Sequence, residues 1–229
     1  MKSALKISLA ASLAAAGMAI AATPAAAQVN GIATATPEGV IFGAQARIDA
    51  YRAIDTQYAS QLQQIATLRN EARTLSQGLD TDGDGNVSQT EASAQQAVVT
   101  QIEQKQSQIE TIETPIALAQ LYVIQQLLER YGAAQQSVIQ QKGIQLMLAP
   151  DAISYGYQQA DVSQDIVTAL NAAVPTVTTT PPQGFRPARE TVQLHGSVNQ
   201  LRLLAAAQQA RAAQQGGTQQ PAPQQPSGR

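Results

Sequence analysis

Twelve residues near the middle of the chain, Asp80-Thr-Asp-Gly-Asp-Gly-Asn-Val-Ser-Gln-Thr-Glu91, set oxygen-bearing side chains at nearly alternate positions. A calcium loop of the EF-hand type draws oxygen ligands from its positions 1, 3, 5, 7, 9 and 12 and bends at a glycine in position 6. Those positions hold Asp80, Asp82, Asp84, Asn86, Ser88 and Glu91, with Gly85 at the bend. Asn86 would ligate through its backbone carbonyl, Ser88 through a water molecule and Glu91 through both carboxylate oxygens. Val87, in position 8, is the apolar residue expected to pack beneath the loop. Four carboxylates this close repel one another unless a cation sits among them. The expectation is one calcium ion per chain, against the alternative of a metal-free acidic turn. Such loops usually brace each other in pairs, and this chain has one. A sensor hand sets its helices at about 90–100°, whereas a helical hairpin wants them about 20° from antiparallel. A structural clip is therefore expected rather than a switch.

Little else in the chain carries chemistry. There is no cysteine, and His195 is the only histidine. It lies in a Gln- and Ala-rich stretch read as flexible, so no Ser-His-Asp set and no cysteine nucleophile can be assembled. The chain is not expected to be an enzyme. Glu103, Glu110 and Glu113 read as a solvated helix face. Tyr51 and Tyr58 read as packing residues, or as residues facing a cavity where a client could touch them. Asn86-Val-Ser88 matches a glycosylation acceptor but falls inside the proposed metal loop.

The loop joins two stretches of helical period. Ile48, Tyr51, Ile54, Tyr58, Leu62, Ile65, Leu68, Ala72, Leu75 and Leu79 recur at steps of three or four, which predicts a helix from about 44 to 79. A helix of that length spans roughly 50 Å. A return helix is predicted from Ser88, through Val98, Ile102, Ile109, Ile112 and Ile116, to a stop at Gly143. Lys105 occupies one stripe position, as a register device or with its stem packed and its amine in water. Pro115 is expected to kink the helix or end a segment. Period 2 then takes over at Ile144, Leu146 and Leu148, and again at Ile153, Tyr155 and Tyr157, across a Pro150-Asp151 turn. Together with a stretch at 29–36 this predicts strands at 29–36, 144–149 and 152–157. Asp161 and Gln164 mark the start of a short helix faced by Ile166, Val167, Leu170 and Val174 and closed by Pro175.

The ends of the chain read differently. Lys2 and Lys6, the apolar run Leu9–Ala22 and the small residues Ala25–Ala27 form a secretory signal peptide, 1–27. Its removal takes the formal net charge from −2 to −4, which argues against nucleic-acid binding. Residues 176–229 read as a low-complexity, mostly disordered tail, with a weak helix at 189–214 that forms only on a partner. The expected fold class is α+β, mostly α: a long antiparallel helical hairpin arm, 44–115, projecting from a small β-rich body, 28–43 and 116–175. So few large apolar residues and so many strand edges predict that oligomerisation completes this body.

The stretch Lys142-Gly-Ile-Gln-Leu-Met-Leu-Ala-Pro-Asp-Ala-Ile-Ser-Tyr155, followed by Asp161-Val-Ser-Gln-Asp-Ile-Val-Thr-Ala-Leu-Asn171, resembles the Skp (OmpH-like) periplasmic chaperones. It is similar to that family's closing strand pair and its D-I-T-x-x-V-x-x-x-L-N helix, and the order of elements agrees over about residues 29–175. The resemblance implies a periplasmic homotrimer whose three arms hold unfolded outer-membrane proteins without ATP, and no catalytic site. Two features depart from it. Residues 44–113 carry five Lys/Arg against ten Asp/Glu, where family arms are often basic, so electrostatic client capture and membrane contact are not expected. The acidic loop and the Gln/Pro-rich tail are additions. Two other functions compete with the holdase: a periplasmic calcium-binding protein, and a coiled-coil spacer of the envelope.

Overall fold

The computed structural model describes residues 31–153 and 160–216. The signal peptide, the end of the third expected strand and the last thirteen residues lie outside the described residues. What is described is mostly helical, with one two-stranded sheet.

Strand β1 (Ile32–Thr34) leads into α1 (Pro37–Gly43), where Pro37 sits in the first turn, in need of no amide partner there. Val40 and Ile41 on this short helix are fully buried. Helix α2 (Gln45–Gln57) buries Ala46, Arg47, Ala50, Tyr51 and Ile54, the inward stripe of a helix against a core. Helix α3 (Ala59–Leu79) follows after a break at Tyr58, whose φ of −105° and ψ of 19° leave helical geometry. The backbone bonds Tyr58 N–H to Ile54 O and Leu62 N–H to Tyr58 O, both 2.9 Å, bridge that break. The single helix expected over 44–79 is thus two.

Beyond the acidic loop come α4 (Gln89–Ala94) and α5 (Gln96–Lys142). Helix α5 runs through Pro115 without ending. Pro115 and Thr111 are both exposed, so the carbonyl that loses its bond to the missing N–H sits at a wet turn. Gly143 closes the helix in the left-handed conformation, φ 62°, as expected of a C-terminal stop.

The strands differ from expectation. Strand β2 (Leu146–Leu148) pairs with β1 in parallel, Ile32 to Leu146 and Thr34 to Leu148. Five helices separate β1 from β2, so a parallel crossover is available. Pro150–Ala152 forms a 3-10 turn, and residues 154–159 lie outside the described residues. On its other side β1 meets Asp161, where Val162 N–H donates to Thr34 O at 2.9 Å. With strands of only three residues, the body is built mainly by helices.

Helix α6 (Ser163–Ala173) buries Ile166, Val167 and Leu170, the face read from its sequence. Asp161 assists its start by accepting from Ser163 N–H at 2.8 Å. The segment after it is held by Gln126, whose amide bonds both the N–H and the carbonyl of Thr178, and by Phe185 edge-on to Tyr122 at 5.0 Å. Helix α7 (Arg189–Gly216) then packs against α1 and α5. Its Thr191, Leu194 and Val198 are buried. The stretch read as tail therefore contains a core helix. The partner that this weak helix needs is the chain's own body, met through one short stripe.

The core joins residues of β1, α1, α2, α6 and α7 to the part of α5 from Ile116 onward. Helix α3 lies along α5, and only Ile65, Leu68 and Leu79 are buried on it. Ion pairs Arg69–Glu113 and Glu71–Lys105 link the two, with partners descending along α5 as they rise along α3. Lys105 is only partly exposed, its stem against the helix pair and its amine on Glu71.

Candidate functional site

The loop between α3 and α4 is a set of nested turns. The Asp80 carboxylate accepts from Gly83 N–H at 2.8 Å and from Gly85 N–H at 2.9 Å. Asp82 accepts from Asp84 N–H at 3.1 Å, and Asp84 from Asn86 N–H at 2.7 Å. Each acidic side chain thus folds the backbone just ahead of it. Gly83 and Gly85 have φ of 74° and 87°, the left-handed region that a side chain rarely adopts. The result brings one carboxylate oxygen each from Asp80, Asp82 and Asp84 within 4.8 Å of one another. Only hard oxygen ligands converge there, the donor type that suits calcium.

The Glu91 carboxylate is outside that trio of converging oxygens, but one of its oxygens accepts from Asp82 N–H at 3.3 Å. The same oxygen accepts from Thr81 N–H at 2.6 Å and Thr81 Oγ1 at 2.7 Å. The other accepts from Ser88 N–H and Ser88 Oγ, both at 2.9 Å. Ser88 Oγ also accepts from Glu91 N–H, a capping box that starts α4. The Ser88 backbone N–H, then the Thr81 hydroxyl and N–H, favour the ionised carboxylate and bring the Glu91 pKa down to about 2. Of the six residues read as ligands, the structure gathers Asp80, Asp82 and Asp84 and ties Ser88 to Glu91. Asn86 contributes its N–H to a turn. Val87 is 39 % exposed, not packed beneath the loop as expected. Asp80, Asp82 and Asp84 could hold a cation together, and Glu91 is held in a helix cap beside them.

A second constellation escaped the sequence reading. Arg47 is only 5 % exposed, and its Nε and Nη2 donate to Phe42 O at 3.0 and 2.6 Å. Its guanidinium lies 5.0 Å from the Phe42 ring centre and 5.3 Å from that of Tyr51. Arg202 of α7 stacks on the same tyrosine at 4.9 Å. Tyr51 is 3 % exposed, and its hydroxyl has no hydrogen-bond partner among the described residues. Burial pushes the phenol up to about 12, against the pull of Arg47 and Arg202. The packing role expected of Tyr51 is present. The available signal was Arg47 four residues before Tyr51, on the buried side of the helix; nothing local pointed to Arg202, 151 positions further on. His195, read as a tail residue, is half-buried with Nε2 3.2 Å from Gln120 Oε1.

Among the described residues no helix is long and apolar enough to cross a membrane. No family model and no curated protein matches the chain. Among solved structures, a candidate outer membrane chaperone (OmpH-like) from Caulobacter crescentus is similar. It shares 14 % identity over 68 % of this chain and 92 % of its own, with a TM-score of 0.41.

Proposed function

We propose that the chain is an ATP-independent holdase chaperone of the periplasm that binds unfolded outer-membrane proteins and works as a homotrimer. In this reading α3, α4 and the first half of α5 form an arm, starting later than the expected residue 44 because α2 packs Ala46, Ala50, Tyr51 and Ile54 into the core, and the remaining elements form a body completed by neighbouring copies. The observation that carries it is the contrast in burial along α5. All seven of its buried residues lie at or beyond Ile116, while Val98, Ile102, Ile109 and Ile112 are only half-covered. A helix pair that contributes so little to the core is suited to meeting something outside it. The resemblance of residues 142–171 to the Skp family supports the same reading. Its test is light scattering of an unfolded barrel protein diluted from urea without nucleotide. Suppression by a few-fold excess of trimer supports the holdase, and undiminished aggregation rejects it.

A second reading is favoured by the convergence of Asp80, Asp82 and Asp84: a periplasmic calcium-binding protein. One calcium ion per chain would clip α3 to α4. Running the same assay with calcium and with chelator separates the two. A holdase merely clipped by calcium keeps its activity, and a calcium-driven protein loses it.

A further inference from the structure

We propose that the groove between α2 and the second half of α7 binds a carboxylate carried on an apolar chain, with the guanidinium groups of Arg47 and Arg202 as its anion contacts. The groove encloses about 460 Å³. Among the described residues, Arg52, Arg69, Lys105 and Lys142 all have carboxylate partners. Arg47 and Arg202 are among the described cations that have none, and of those Arg47 alone is buried. Arg47 is anchored by the Phe42 carbonyl, and Arg202 reaches only Asn199 Oδ1 at 3.4 Å. Both guanidinium groups lie near the Tyr51 ring and line the groove, and burial, with the charge of Arg202, disfavours the charged form of Arg47. An anion between them would offset that repulsion, and a guanidinium fork matches a carboxylate.

The walls specify the rest of the ligand. Ile48, Leu203, Ala205 and Ala206 line the groove, and Leu203 is 73 % exposed, an apolar side chain with no cover. Asp55 lines it too, which disfavours a dianion such as phosphate over a single carboxylate. The site is independent of the chaperone reading, because it lies on the body rather than on α3 or the first half of α5.

The test is calorimetric titration of the full chain with octanoate, octanol, acetate and inorganic phosphate. Octanoate should saturate one site per chain, with octanol, acetate and phosphate each weaker by about tenfold or more. Arg202→Ala, on α7, should weaken octanoate by about tenfold, while Arg69→Ala, on α3 and away from the groove, should change it less than about twofold. Melting curves of both variants check that they fold. Octanol binding as well as octanoate, phosphate binding in its place, or octanoate binding indifferent to Arg202 would each overturn the proposal.

Discussion

Glu91 closes the acidic loop through bonds that only the ionised carboxylate can accept in full, and this fixes the sign of its pH dependence. Its folded pKa is depressed from 4.5 to about 2. The contribution to loop order is therefore complete above about pH 4.5 and lost as the pH falls towards 2. The Glu91 carboxyl carbon should titrate near pH 2 by NMR; a midpoint near 4.5 would show that the cap is open in solution. Calcium binding should remain detectable but weaker in Glu91→Gln than in Ser88→Ala, since a bidentate ligand is lost rather than a water contact. Absence of calcium uptake at millimolar concentration would reduce the loop to an acidic turn. At Tyr51, removal of a buried hydroxyl without a partner among the described residues in Tyr51→Phe keeps the ring beside its two arginines. Stability should hold or rise by about 1 kcal/mol in denaturant unfolding, and a loss of several kcal/mol would mean that the hydroxyl has a partner. The candidate ligand positions could be named from the sequence because each loop slot demands a residue type. The engagement of Glu91 by Thr81 and Ser88 could not, because the same Glu serves equally as a ligand and as the third residue of a helix cap.

Among the elements, α5 does two jobs along one sequence pattern. Ile102 and Ile124 repeat with the same helical rhythm, yet Ile124 is fully buried and Ile102 half-covered. Ile124→Ala should cost about 2–5 kcal/mol in cavity and transfer terms, and Ile102→Ala distinctly less. Equal losses would show the whole helix to be core. The periodicity that predicted α3, α5 and α6 records that a side chain has an inward face, and not how deeply that face is covered. The strand segments were legible only as short alternating runs. Their parallel pairing depends on where five intervening helices return the chain, which no local pattern records. Helix α7 was hidden for a related reason: Leu194 and Val198 make a faint stripe in an Ala/Gln background, and their partners on α1 and α5 are remote in sequence. His195, the single histidine, reports on that docking. Burial, and then Arg202, lower its pKa, so the neutral ring is favoured in the folded state. Docking of α7 should be complete above the ordinary value of 6.5 and weaken as the pH falls through the lower folded value. The imidazole resonance should titrate below 6.5 in the folded chain and return to its ordinary value in urea; an unshifted midpoint in both states would show α7 undocked.

For the whole molecule, the central proposal is that an arm sparing of core residues and a body with short strands make a trimeric holdase. A thin, two-stranded sheet among the described residues is a liability for a lone chain, and neighbouring copies would remove it. The order of helices and the mostly helical fold class could be read from the sequence. Assembly could be inferred only from what the chain leaves uncovered. The most direct measurement is analytical ultracentrifugation of the protein mixed with a fluorescently labelled, unfolded barrel protein, with no nucleotide present. The account predicts one soluble species containing three chains and one client. A client that pellets as aggregate while this chain sediments alone as a monomer would contradict it.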